Sequence, residues 1–165
     1  MKAARTILMP LMIAAGFHAA AQEPAVPAAL RVSPRETLVR RVHASGDQVY
    51  SCDGSQWVLA GPDARLRDDA GRTVGSHSYG PTWTWADGSA VTAKAVANIS
   101  PDPNSIPWLL LRVTGHKGAG VLNNITAIQR LHTKGGKPAT QSCTQMNKTL
   151  RVPYTADYYF FSPRP

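Results

Sequence analysis

Cysteine is scarce in this chain of 165 residues: only Cys52 and Cys143 occur. They form no CxxC pair and no Cys–His cluster with zinc spacing, which excludes a thioredoxin-like redox motif and a zinc finger. Acidic residues are few as well, 10 against 18 Lys and Arg. Most acids fall in turn sequences such as Asp53-Gly54, Asp68-Asp69 and Asp87-Gly88, where Asp serves the backbone. A glycosidase-type carboxylate pair therefore has few candidates. Asp157 differs because it sits inside an aromatic stretch. It reads either as an exposed charge or as a buried carboxylate paired with an arginine such as Arg130. Also missing are a GxGxxG after a strand, a GxSxG elbow, and any HxH or HxxxH pair. No cofactor and no metal is expected from such a pattern. No apolar run reaches the roughly 20 residues of a membrane-spanning helix, so no transmembrane span is expected.

The N-terminus has its own pattern. Lys2 and Arg5 precede an apolar run over 7–20, and Ala19-Ala20-Ala21 supplies the small-residue cleavage pattern before Gln22. Residues 1–21 read as a secretory signal peptide, which places the mature protein outside the cell or in a periplasm. That compartment is oxidising, so the two cysteines are expected to pair as a disulfide. Removing Lys2 and Arg5 with the signal lowers the formal charge of +8 by two. The remaining basic residues are scattered and carry no nucleic-acid motif, so no nucleic-acid partner is expected.

Residues 22–36 contain Pro24, Pro27 and Pro34 between small residues and read as an extended arm. From residue 37 to 165 the chain reads as a single β domain. Strands are predicted at Thr37–Val42, Gln48–Cys52 and Gln56–Ala60, separated by turns at Ser45-Gly46-Asp47 and Asp53-Gly54 and ended by Gly61-Pro62-Asp63. Trp83 and Trp85 alternate onto one face, and Asp87-Gly88 follows as a second hairpin signal. Trp108–Val113 reads as a strand buried on both faces, and Tyr154–Phe161 as an aromatic final strand. No window shows a sustained apolar period of 3.6. The fold class is all-β with little helix: a single-domain β-sandwich, or alternatively a small closed or partly open β-barrel.

The densest group of chemistry-bearing side chains is His77, Tyr79, Trp83, Trp85 and Asp87. An imidazole, aromatic faces and a carboxylate within a dozen residues suit a small polar or carbohydrate-like ligand or an envelope polymer. His77, Tyr79, Trp83 and Asp87 are the candidate ligand-binding residues; no catalytic residue is assigned. Two other readings stand beside this one. One is a secreted hydrolase using the His77/Asp87 region. The other is a structural or stress-related envelope protein whose tryptophans fill the core.

Several segments together resemble a known family. They include Gln48-Val49-Tyr50-Ser51-Cys52, Val74-Gly75-Ser76-His77-Ser78-Tyr79-Gly80-Pro81-Thr82-Trp83, Ile106-Pro107-Trp108-Leu109-Leu110-Leu111 and Val152-Pro153-Tyr154-Thr155-Ala156-Asp157-Tyr158-Tyr159-Phe160. Their order and spacing resemble the secreted family catalogued as domain of unknown function 3455, from about Arg40 to Phe161. The resemblance implies export and supplies no catalytic residues.

Overall fold

A computed structural model describes residues 23–165; the signal peptide expected over 1–21 lies outside the described residues. One turn of 3-10 helix at Ala28–Leu30 precedes eight strands: β1 (Glu36–Cys52), β2 (Trp57–Arg67), β3 (Thr73–Ser78), β4 (Thr82–Trp85), β5 (Ala90–Ile99), β6 (Trp108–Lys117), β7 (Ala127–Gly135) and β8 (Thr149–Pro163). All neighbours pair antiparallel in chain order, and β8 returns to β1 to close a barrel. The all-β expectation holds, and the ring of pairing shows how the strands are arranged.

The two longest strands close the ring, β1 with 17 residues and β8 with 15. β1 runs straight through Ser45-Gly46-Asp47, where the sequence predicts a turn. A β-carbon at Gly46 would lie 2.2 Å from the Asp63 carbonyl oxygen and 2.5 Å from the Ala64 α-carbon. Glycine here permits a close approach of two strands rather than a reversal of the chain. β2 likewise continues through Gly61-Pro62-Asp63, with a bulge at Ala60, which is left unpaired opposite the step from Val49 to Tyr50 of β1. Pro62 is tolerated because β2 has β1 as its only ladder partner there. The two Asp-Gly signals do mark turns, between β1 and β2 and between β4 and β5.

Alternation along the strands sorts side chains onto two faces. Val42, Leu66, Trp83, Leu111, Ile128 and Phe160 belong to the interior cluster. Leu110, Ala127, Leu131, Tyr159 and Phe161 form a second cluster on the outer face, covered by Leu30, Val26 and Val32 of the N-terminal arm. The Gln129 amide Nε2 donates to the Leu30 carbonyl at 2.6 Å, which fixes the arm to β7. At the root of the arm, Glu36 accepts from Arg112 at 2.6 Å and from Thr126 at 2.7 Å. Burial pushes the Glu36 carboxyl up, but those hydrogen bonds and the Arg112 charge outweigh it and hold the group below its ordinary range.

The barrel is finished differently at its two ends. Between β6 and β7, Leu122 and Ile125 fold into the interior and are fully buried. The Asp87 carboxylate caps this plug, accepting from the Val121 amide at 2.8 Å and from the Ser89 hydroxyl at 2.6 Å. At the other end, the connection 136–148 between β7 and β8 crosses to the β1–β2 turn. The Cys52–Cys143 disulfide pins it, with α-carbons 6.0 Å apart. Trp57 N donates to Gln141 O and Cys143 N to Ser55 O, each at 2.9 Å.

Candidate functional site

The four candidate residues named from the sequence separate in space. His77 and Trp83 pair directly across β3 and β4. Both point into the barrel, where their rings stack with centroids 4.0 Å apart and planes 12° from parallel. Tyr158 meets both rings edge-on. Tyr79 sits at the β3–β4 turn and is 75% exposed. Asp87 lies at the far end of β4, engaged with the plug loop. His77 and Tyr79 thus do not share a face, because the chain leaves the strand after Ser78. His77 and Asp87 do not meet, because β4 separates their two turns.

His77 is only 3% exposed, and its Nδ1 donates to the Thr82 carbonyl at 2.9 Å. Burial, reinforced by the positive charge of Arg130, lowers its pKa to about 3 against the opposing hydrogen bond. The ring is therefore neutral near pH 7, with Nδ1 carrying the proton and Nε2 bare.

His77 forms part of the wall of a cavity of about 730 Å³ at the disulfide-pinned end. Its apolar walls are Leu59, Ile106, Pro107, Leu109 and Leu111, and its polar ones include Gln48, Tyr50 and Arg130. The opening follows from strand length. β3 and β4 have only six and four residues, so they stop short of their neighbours. Residues 57–63 of β2 have no β3 partner, and residues 94–99 of β5 have no β4 partner. A notch remains in the wall between these two edges, above the β3–β4 turn. Leu59, Tyr79 and Val96 around it are exposed apolar side chains.

Several polar atoms in this half of the barrel lack a partner. Gln48 is 2% exposed, and among the described residues its Nε2 has no hydrogen-bond partner; nor do Trp83 Nε1 and the hydroxyls of Tyr154 and Tyr158. Tyr50 does find one, donating to the Gly136 carbonyl at 2.6 Å. Arg130 enters from β7 and donates through Nε and Nη2 to the Pro107 carbonyl, at 3.0 and 2.9 Å. Sequence reasoning did not place Gln48, Tyr50 or Arg130 at a site. The available signal was the alternation Ile128, Arg130, which puts Arg130 on the interior face with a core isoleucine.

A model of the family described as protein of unknown function (DUF3455) matches residues 33–162. The chain belongs to that family. The DUF3455 match runs from just before β1 into β8 and so takes in the whole barrel, the cavity and the disulfide loop. Neither a curated protein nor a solved structure matches the chain.

On the outer surface of the DUF3455 barrel lies Asp157, on the outward face that one of its two sequence readings gave it. It does not pair with Arg130; the residue opposite Arg130 in the β7–β8 ladder is Tyr158, and alternation turns Asp157 outward. Its carboxylate accepts from His43 Nδ1 at 2.6 Å and from His132 Nδ1 at 2.9 Å. His43 Nε2 reaches Asp69 at 2.9 Å, and Arg41 joins Asp69 at 2.7 Å. Burial opposes protonation of His43, but its bonds to Asp157 and Asp69 outweigh that and raise its pKa. The network ties β1, β7, β8 and the β2–β3 turn together.

Proposed function

We propose that this protein is an exported small-molecule binder that holds one organic ligand in the cavity at the open end of the barrel. The observation that carries this reading is a buried amide without a partner in the wall of a largely apolar cavity. Gln48 is almost fully buried in the cavity wall, yet its Nε2 bonds nothing among the described residues. Buried donors are nearly always satisfied, and leaving one unpaired costs about 1–3 kcal/mol. An acceptor on a ligand removes that cost. A volume of about 730 Å³ lies in the range of small-molecule sites. Eight strands give an interior just wide enough for one such guest.

Export rests on the N-terminal signal pattern and agrees with the disulfide, which belongs to an oxidising compartment. The small-ligand reading of the sequence is kept, but its residues change. His77 remains as an oriented neutral wall, Trp83 supports it from behind, and Tyr79 and Asp87 give way to Gln48, Tyr50 and Arg130.

A neutral apolar fluorophore, N-phenyl-1-naphthylamine, tests the cavity. Its emission is expected to rise and shift to the blue on binding, with micromolar affinity. Ala95 lines the opening from an exposed edge of β5, so Ala95→Trp fills the chamber without disturbing the core. That variant is expected to lose the signal while keeping its melting temperature. No emission change in the native protein, or equal binding by the variant, contradicts the reading.

A further inference from the structure

We infer that the ligand of this cavity is an organic anion, with a carboxylate received by Arg130 and an apolar body lying along Leu59, Ile106, Leu109 and Leu111. This rests on the cavity being the binding site. It adds the charge and shape of the guest.

The charge pattern of the wall is one-sided. Lys94, Arg130 and Lys137 line the cavity, and no acidic residue does. Lys137 is already committed, donating to the Pro103 carbonyl at 2.7 Å. Arg130 is not matched by any carboxylate among the described residues. Four other arginines are: Arg41 with Asp69, Arg72 with Asp68, Arg112 with Glu36, and Arg151 with Asp47 and Asp63, while Arg40, Arg65 and Arg67, which have no carboxylate partner among the described residues, are exposed to water. Arg130 is moreover a half-buried guanidinium, and a charge removed from water without a counter-charge is costly.

No interior group is placed to supply that counter-charge. Burial pushes the phenols of Tyr50, Tyr154 and Tyr158 up, so they stay protonated, and His77 is neutral. The geometry suits a guest. The Pro107 carbonyl holds Nε and one hydrogen of Nη2, which fixes the guanidinium plane. Nη1 and the second hydrogen of Nη2 remain as a fork of the kind that binds carboxylate in bidentate fashion. Gln48 Nε2 offers a further donor in the same wall, while the leucines and Ile106 supply the apolar contact.

Decanoate and decanol share a chain and differ in charge. Titrated calorimetrically into the native protein, decanoate is expected to bind at least about tenfold tighter than decanol, the scale of one hydrogen-bonded charge. Arg130→Met is expected to abolish that advantage, so that decanoate and decanol bind this variant with equal affinity. Should that variant fail to fold, Arg130→Gln keeps a donor for Pro107 without the charge and is expected to give the same loss. Equal affinity for the two ligands in the native protein, or an advantage that survives loss of the charge, overturns the anion assignment while the cavity reading stands. Failure of both ligands where N-phenyl-1-naphthylamine still binds also overturns it. Failure of all three removes the cavity reading with it.

Discussion

At one end of the barrel Leu122 and Ile125 enter the interior, and the Asp87 carboxylate and Ser89 hydroxyl satisfy the amides of the loop that carries them. At the other end the β3–β4 hairpin stops early, two strand edges are left without partners, and the chamber behind them is walled by Gln48, His77 and Arg130. The same eight strands supply both ends. The difference lies in the connections. A loop with its own capping carboxylate can carry apolar side chains inward, because its backbone is already satisfied. The 136–148 connection instead takes its hydrogen bonds from the β1–β2 turn and its covalent tie from Cys52, so it frames an opening without filling it. One end is filled, and the other is the end we propose for binding.

Substitutions divide along this contrast. Leu122→Ala at the plug is expected to cost about 2–5 kcal/mol in urea denaturation, as a fully buried leucine does. Leu59→Ala at the rim, where the side chain is half exposed, is expected to cost under about 1 kcal/mol. Similar costs at both positions would erase the distinction between the ends.

Acid reaches the open end through His77. In the unfolded chain this ring protonates below its ordinary value of 6.5, but in the barrel it stays neutral down to about 3. Between these values the unfolded state binds the extra proton, so stability falls as pH falls, by about 3 kcal/mol at pH 4 and up to about 5 kcal/mol near pH 3. His77→Gln is expected to flatten this part of the pH–stability curve, measured by denaturation at pH 7, 5 and 4. An unchanged slope would mean that His77 is not the group responsible.

Removing the disulfide with Cys52→Ser and Cys143→Ser together is expected to cost about 2–4 kcal/mol, because the bridge spans 91 residues of sequence. It is further expected to weaken the fluorescent probe, since the 136–148 connection loses its tie. Loss of stability with no change in probe affinity would assign the bridge to the fold alone. A smaller effect than that of the disulfide is expected from Asp87→Ala, about 1 kcal/mol as for a lost cap, with probe binding unaffected. A loss of probe binding there would return Asp87 to the site and break the separation of the two ends.

How much of this was legible follows from which signals are local. Asp53-Gly54 and Asp87-Gly88 marked real turns, because their chemistry resides in adjacent residues. The shared face of Trp83 and Trp85 held for the same reason: alternation is a property of one strand. Gly46 and Gly61 misled, because their glycines answer to neighbours distant in sequence. At Gly46 the limit is the Asp63 carbonyl, and at Gly61 it is the ring and backbone of Tyr79. The grouping of His77 with Asp87 failed because proximity in sequence across a short strand means opposite ends in space. Arg130 reads in the sequence only as a partner for Asp157, because the stretch Ile128-Gln129-Arg130-Leu131 alternates onto two faces that both carry apolar residues, and which of them closes inward is decided only when the ring forms.

The central claim is that binding belongs to one end alone, and methyl NMR of the native protein tests it most directly. With Leu and Ile methyls assigned, N-phenyl-1-naphthylamine is added stepwise. The account predicts saturable shifts at Leu59, Ile106, Leu109 and Leu111, with Leu66, Leu122 and Ile125 unmoved. Shifts centred on the plug residues, or no saturable shift at the cavity methyls, would contradict it.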